Sequence, residues 1–114
     1  MTVITNVTRG AALASNAETA RNPWTRLLGL MGRPGLPAGG GLLFPGEKGV
    51  HTHFMRFPID VVFYDRELVV LDVVEGLRPW RFSPYRFRAG GLIELPAGVA
   101  RATGTRAGDR LSIS

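Results

Sequence analysis

The stretch IDVVFYDRELVVLDVVE, from Ile59 to Glu75, decides the expected fold of this chain. Two runs rich in β-branched and aromatic residues flank the polar tripeptide Asp65–Glu67. Successive side chains of a strand point to opposite faces, and here both faces are largely apolar. The pattern therefore predicts a β-hairpin that turns at Asp65–Glu67 and whose strands are covered on both faces.

Five further runs have the composition or alternation of short strands, and they lie at residues 2–8, 11–20, 42–44, 92–96 and 107–114. One amphipathic helix is predicted near residues 23–31. Asn22 suits its N-cap, Pro23 its first helical position and Gly32 its end. Its apolar stripe consists of Trp24, Leu27, Leu28 and Met31. The segment 97–104 predicts at most a second, short helix.

The composition fits a mainly β protein with many turns. Of the 114 residues, 45% are hydrophobic and 20% charged, which suits one domain spanning residues 1–114. Fifteen glycines and eight prolines favour short elements. We therefore expect a small barrel-like or strongly curled sheet, antiparallel or mixed, of about seven short strands. By a strict count, with its short helix, the fold is α+β.

Charge and cysteine content bear on the possible partners and on the cellular compartment. The formal net charge is +5, and 13 of the 14 basic residues are arginine. The remaining one is Lys48. A GC-rich coding bias produces the same excess, so charge alone identifies no partner. The lack of cysteine excludes disulfides and thiolate chemistry and favours the cytoplasm. The first residues lack a signal-peptide pattern, and no apolar run reaches membrane-spanning length. We expect a cytoplasmic monomer without membrane contact.

The segment HTHFMRFPID, residues 51–60, holds both histidines. In an extended strand, His51 and His53 point to the same face at a spacing that suits a chelate. A third ligand would have to be a carboxylate, and the Arg56 cation opposes a bound metal. We therefore assign no metal ligand and expect no cofactor.

Arg56 and Asp60 lie on either side of Pro58 and suggest a bend of the chain flanked by two charged residues. Pro58 restricts the backbone before it and predicts a bend between the two residues. Across that bend we expect an ion pair, which is either structural or part of a polar cleft that binds an anion. Glu94, inside an apolar strand, is expected to pair with Arg56 or another arginine. The candidate ligand-binding residues are His51, His53, Arg56, Asp60 and Glu94.

The strip RPWRFSPYRFR, residues 78–88, interleaves arginines with aromatic residues. This mixture suits single-stranded nucleic acid, because bases stack on rings and arginines contact phosphates. In the alternative interpretation, the rings anchor an ordinary strand on the core and the arginines lie over them. The candidate nucleic-acid or partner residues are Arg78, Trp80, Arg81, Tyr85, Arg86 and Arg88.

Five blocks of the sequence, in order, resemble the bacterial and archaeal family called "domain of unknown function 192". They are RLLGLMGR (26–33), GLLF (41–44), FMRFPIDVVFYD (54–65), LIELPAG (92–98) and GDRL (108–111). The resemblance implies a compact, mostly β, barrel-like domain with a short helix and no established activity. The commoner family pattern before the proline reads Phe-Trp-Met-Lys-Asn-Thr. Here Met55, Pro58 and Asp60 match that region, whereas Arg56 replaces its lysine.

Two function classes follow. The first is a small-ligand or anion-binding domain, or a purely structural one, with a polar cleft around His51, Arg56 and Asp60. The second is a single-stranded nucleic-acid or protein interaction module that uses the strip 78–88. No serine lies in a Gly-x-Ser-x-Gly motif, so no catalytic residue is assigned and we do not expect an enzyme, although an unrecognised type stays open. Convergence of the polar residues favours the first class, and an exposed Trp80 on a basic face favours the second.

Overall fold

The computed structural model describes residues 2–21 and 32–114, so the helix predicted near residues 23–31 lies outside the described residues. Within the described ranges the chain forms seven strands and one helix. They are β1 (Thr2–Asn6), β2 (Ala11–Thr19), β3 (Gly40–Pro45), β4 (Ile59–Tyr64), β5 (Val70–Leu77), β6 (Gly91–Pro96), α1 (Val99–Thr103) and β7 (Leu111–Ile113). Across these described residues, no helix is long and apolar enough to cross a membrane.

The strands form one mixed sheet in the order β5-β4-β6-β3-β2-β1-β7. Only β2 and β3 pair in parallel, and the other neighbours are antiparallel. The two edge strands meet at one end, where the N–H of Val70 donates to the Asp109 carbonyl at 2.8 Å and the N–H of Leu111 donates to the Leu68 carbonyl at 2.8 Å. The sheet is therefore a curled half-barrel, which confirms the predicted fold class.

The predicted hairpin is the β4–β5 pair. Every residue of β4 is buried, as its two apolar faces indicated. The turn closes where the N–H of Leu68 donates to the Asp65 carbonyl at 3.0 Å. One carboxylate oxygen of Asp65 accepts the N–H groups of Glu67 and Val69, so this side chain stabilises the turn.

Apolar side chains form two clusters on opposite faces of the central strands. The first cluster contains residues of all seven strands, among them Leu43, Val62 and Ile93, and fills the inside of the curl. The second lies on the other face of β3, β4 and β6, and includes Val61 and Leu92. Strand alternation produces this division, because adjacent residues of one strand join different clusters.

Asp60 lies on the first face, where it is fully buried. One of its carboxylate oxygens accepts the N–H of Gly76 at 2.9 Å, and the other accepts the N–H groups of Gly98 and Ala100 at 3.0 Å each. Gly98 is the N-cap of α1 and has no side chain to serve this purpose. Asp60 therefore caps the helix from a neighbouring strand and fastens it to the sheet.

Glu94 lies on the opposite face of the same region. It pairs in register with Leu42 of β3 and Val61 of β4, both members of the second apolar cluster. Only 3% of the residue is exposed, and none of the described residues donates a hydrogen bond to its carboxyl. Burial raises its pKa to about 8. Among the described residues Glu94 therefore has no arginine partner, contrary to the expected pairing with Arg56, and its apolar surroundings favour the neutral acid.

A third buried carboxylate joins β1 to the segment before β7. Asp109 accepts hydrogen bonds from the Asn6 amide at 2.9 Å and from the Arg9 guanidinium at 3.1 Å. Burial alone would raise the pKa of Asp109, but the bonds from Arg9, Asn6 and the Arg106 backbone lower it to about 2. This network holds the first turn of the chain against its last strand.

We expect Asp60→Asn to lower the free energy of unfolding by about 2–4 kcal/mol at pH 7, because asparagine keeps only one acceptor oxygen and would leave either Gly76 or the start of α1 without its acceptor. Urea denaturation measures this change. The exposed turn residue Glu67 provides the control, and Glu67→Gln should stay within about 0.5 kcal/mol of the wild type. Equal stability of the two variants would show that Asp60 does not fasten the helix.

Glu94 makes stability depend on pH. Its folded-state pKa of about 8 lies above the ordinary value of 4.5, so the folded protein holds a proton that the unfolded chain releases. The contribution of protonated Glu94 to the free energy of unfolding is complete below pH 4.5, declines as the pH rises and is lost above pH 8. The free energy of unfolding should fall by about 2–4 kcal/mol between pH 5 and 8. In Glu94→Gln this decline should disappear, whereas Glu75→Gln, on an exposed carboxylate, should retain it. A flat wild-type profile would contradict the assignment.

Candidate functional site

Five rings form a continuous series on the surface where the segment 51–54 meets the strip 78–88. In order they are Phe54, Trp80, His53, Phe82 and His51, and we call them the aromatic face. Successive ring centroids lie 4.7, 5.4, 4.9 and 6.3 Å apart, and the two imidazoles are 5.1 Å from each other. Most contacts are edge-on or tilted, the arrangements that aromatic pairs prefer.

The rings of the aromatic face point outward. Trp80 is 51% exposed, Phe54 58% and Phe82 76%. The strip forms no regular strand and joins the histidine segment through one isolated bridge between His51 and Phe82. The interpretation in which these rings anchor an ordinary strand on the core is therefore wrong. Exposed aromatic surface of this extent marks an interaction site more often than a plain surface.

Thr52 fixes the two segments together, although nothing in the sequence distinguishes it. This residue is fully buried between flanking exposed or half-buried histidines. Its backbone N–H donates to the Arg81 carbonyl at 2.8 Å, and its hydroxyl accepts the N–H of Arg81 at 2.9 Å. The same hydroxyl donates to the Arg78 carbonyl at 2.5 Å. These bonds bring the strip, 26 to 29 residues further along the chain, against the histidines.

Two members of the aromatic face have strained backbones. Phe54 has φ 66° and Trp80 has φ 64°, in the left-handed region that bulky side chains avoid. The third described non-glycine residue of this kind, Leu68, lies in the hairpin turn. Such a conformation costs on the order of 1–3 kcal/mol and persists only where the surroundings enforce it, commonly at binding and active sites. Thr52 and its hydrogen bonds supply that enforcement here.

The histidines interact with aromatic neighbours. The Nδ1 atom of His51 accepts the backbone N–H of His53 at 3.3 Å, and the ring of His53 packs between those of Trp80 and Phe82. Among residues 2–21 and 32–114, no three histidine, cysteine or acidic side chains are close enough together to hold a metal ion. The two histidines thus act as two further rings of the aromatic face.

Three exposed arginines lie next to the aromatic face in the sequence. Arg78 and Arg81 flank Trp80, and Arg56 follows Phe54 by two residues. Arg86 differs from them, because its guanidinium binds the Asp72 carboxylate through Nε at 2.8 Å and through Nη2. The segments that supply the rings therefore also supply exposed cations, and Asp72 already has a cationic partner.

The polar residues predicted to form a cleft do not come together. Asp60 is fully buried and bound to three backbone N–H groups, whereas Arg56 is exposed, so the expected Arg56–Asp60 ion pair is wrong. The register pairs Asp60 with Leu95 and Val61 with Glu94, which places the two acids on opposite faces of the sheet. Of the candidate ligand-binding residues, His51 and His53 lie in the aromatic face and Arg56 follows it in the chain.

The candidate residues of the strip 78–88 also fall into two groups, inside and outside the aromatic face. Trp80 belongs to the aromatic face, and Arg78, Arg81 and Arg88 are exposed. Tyr85 is 68% exposed but contacts none of the five rings. Sequence reasoning missed Phe54 as a member of the surface, and the only available signal was its position beside the two histidines.

Comparison with known proteins identifies relatives over nearly the whole chain. The family DUF192, described as "Uncharacterized ACR, COG1430", matches residues 4–113. A UPF0127 protein of Pyrococcus furiosus is 37% identical over 112 residues, covering 93% of either chain. A UPF0127 protein of Pyrococcus abyssi is 34% identical over 117 residues, covering 97% of either chain.

Two crystal structures share the fold. A protein of unknown function from Novosphingobium aromaticivorans superimposes with a TM-score of 0.82 at 20% identity, over 97% of this chain and 82% of the other. A "putative transcription regulator" from Sinorhizobium meliloti gives a TM-score of 0.83 at 25% identity, over 97% of this chain and 90% of the other. The fold, the matched residues 4–113 and the archaeal relatives agree, and the chain belongs to the uncharacterised DUF192 family.

Proposed function

We propose that the aromatic face and its neighbouring arginines bind single-stranded nucleic acid. The observation that carries this proposal is the continuous series of five rings, four of them exposed and that of His53 half-buried, with exposed arginines next to them in sequence. Bases of a single strand expose their flat faces and stack on such rings, while phosphates contact arginines. Both requirements are met on one surface.

The charge distribution supports an anionic polymer as partner. The net charge is +5, and Arg56, Arg78 and Arg81 lie beside the rings or next to them in sequence. Exposed guanidinium groups contact phosphates in bidentate fashion and also stack on bases. The ion pair with Arg86 reduces the repulsion that Asp72 would exert on a phosphate chain.

The rigidity of the surface is also favourable. Thr52 holds the strip and the histidine segment in place through backbone hydrogen bonds before any ligand arrives. A strand that stacks on fixed rings loses its own conformational freedom, but the protein loses little. A relative from Sinorhizobium meliloti carries a name that refers to transcription regulation, a process that involves nucleic acid. The cysteine-free composition predicts the cytoplasm, where such partners are abundant.

A small anionic ligand is the alternative partner. His51 and Arg56 remain candidates for it, because the structure places both on the surface. Asp60 and Glu94 do not reach that surface, so the alternative retains three of its five candidate residues. The unbroken ring series has no role in binding a small inorganic anion, whereas a strand of bases uses all of it.

The test is fluorescence anisotropy with labelled single-stranded RNA and DNA of roughly 12 nucleotides at ~50 and ~200 mM salt. The wild type should bind more tightly at the lower salt concentration. Removal of the indole ring in Trp80→Gly should weaken binding by about 5- to 150-fold, since base stacking contributes about 1–3 kcal/mol. Glycine suits the left-handed backbone at this position, so the variant should fold normally, which circular dichroism checks.

Phe87→Ala is the matched control, because Phe87 is 81% exposed in the same strip but lies outside the aromatic face. Its affinity should remain within about twofold of the wild type. Absence of binding at ~50 mM salt, where phosphate contacts are strongest, would refute the proposal. Stabilisation by phosphate or citrate without oligonucleotide binding would favour the small-anion alternative instead.

A further inference from the structure

A cleft opens at the His51 end of the aromatic face. Its volume is about 510 Å³, within the usual range for small-molecule sites. The cleft shares two rings with the aromatic face, and its lining consists of Gly46, Glu47, Lys48, Gly49, Val50, His51, Phe82, Ser83 and Tyr85. A ligand lying along the aromatic face therefore reaches the cleft without crossing a gap.

Hydrogen bonds tie the two walls of the cleft together. The ammonium group of Lys48 donates to the carbonyls of Phe87 at 3.0 Å and Ala89 at 2.8 Å. The N–H of Val50 donates to the Ser83 hydroxyl at 2.9 Å, and the N–H of Ser83 donates to the Val50 carbonyl at 2.8 Å. The walls are thus formed before a ligand enters, which lowers the entropic cost of binding.

Gly49 lets the walls approach closely. A Cβ atom added at Gly49 would lie 3.3 Å from the Pro84 carbonyl oxygen and 3.7 Å from the Cα atom of Tyr85. The first distance is tighter than ordinary contact, so a larger residue would push the strip away. The narrow junction at this glycine keeps Tyr85 and His51 on the same cleft.

The lining favours a flat, uncharged ring system over a phosphate. Aromatic rings are supplied by His51, Phe82 and Tyr85, and stacking on them suits a nucleobase. Lys48 already donates two hydrogen bonds to the backbone carbonyls of Phe87 and Ala89, which hold its ammonium group against the wall of the cleft. A phosphate is therefore better accommodated beside the exposed arginines outside the cleft.

We infer that the cleft takes the base of one nucleotide of the bound strand. The inference rests on the proposed function and adds a defined subsite to it. Stacked bases follow the aromatic face, and the base that reaches its His51 end enters the cleft against Tyr85. The cleft also accepts the base of a free nucleoside monophosphate, because the contacts are made by a single nucleotide.

Tyr85→Ala tests the subsite, and Phe87→Ala is its matched control. Both side chains are exposed aromatics of the same strip, but only Tyr85 lines the cleft. Nucleoside monophosphates are titrated into the ¹⁵N-labelled full chain, with inorganic phosphate as a separate probe. The amide resonances of Gly46, Gly49 and Ser83 should shift with the nucleotides and not with phosphate. Tyr85→Ala should weaken nucleotide and oligonucleotide binding by about fivefold or more, and Phe87→Ala by less than about twofold.

The outcomes separate the subsite from the proposed function. If oligonucleotides bind but Tyr85→Ala behaves like Phe87→Ala, the subsite is wrong and the proposed function stands. Equal shifts with inorganic phosphate would also overturn the subsite, because they would identify an anion site. If monophosphates shift the cleft amides while oligonucleotides do not bind, the proposed function is wrong and the cleft is a nucleotide site only. If neither binds, both are wrong.

Discussion

The register between β4 and β6 constrains the chemistry of this protein more than any single side chain does. Asp60 pairs with Leu95, and Val61 pairs with Glu94. Because successive residues alternate between faces, this register places one acid on each face of the sheet. Asp60 becomes a helix cap and Glu94 a neutral acid in an apolar cluster. A shift of one residue in either strand would place both acids on the same face, so register determines the surroundings of each acid.

A second constraint, the burial of Thr52 between two histidines, determines the structure of the aromatic face. Its hydrogen bonds hold a strip of chain that forms no regular strand. With the strip held there, Trp80 and Phe54 adopt left-handed backbones and their rings meet at 4.7 Å. A cost of order 1–3 kcal/mol at each strained residue is large for a domain whose total stability is of order 10 kcal/mol. Such a cost is consistent with a surface maintained for binding.

The sequence predicts the fold well because its signals are local. The apolar runs that flank Asp65–Glu67 specify the β4–β5 hairpin, and the alternation within short runs locates the other strands. The surroundings of Asp60 and Glu94 depend on pairing with distant strands, which no local pattern encodes. The sequence leaves the orientation of the strip open for a similar reason: alternating arginines and rings fit either rings packed on the core or rings exposed for stacking, and the rings that the structure exposes are set by contacts with Thr52. Phe54 gives only the weak signal of its position beside the histidines, since its left-handed backbone is imposed by tertiary contacts.

The aromatic face and the cleft differ in the charged residues that each of them has. Next to the aromatic face in sequence are three exposed arginines, Arg56, Arg78 and Arg81, whereas Arg86 is paired with Asp72. At the cleft, a carboxylate and an ammonium group share the lining, so the local charge is balanced. Under the proposed function, bases stack on the rings of the aromatic face, phosphates contact the arginines next to those rings in sequence, and the cleft takes one base. His51 and Phe82 belong to both parts, so they would connect the stacked bases to the base in the cleft.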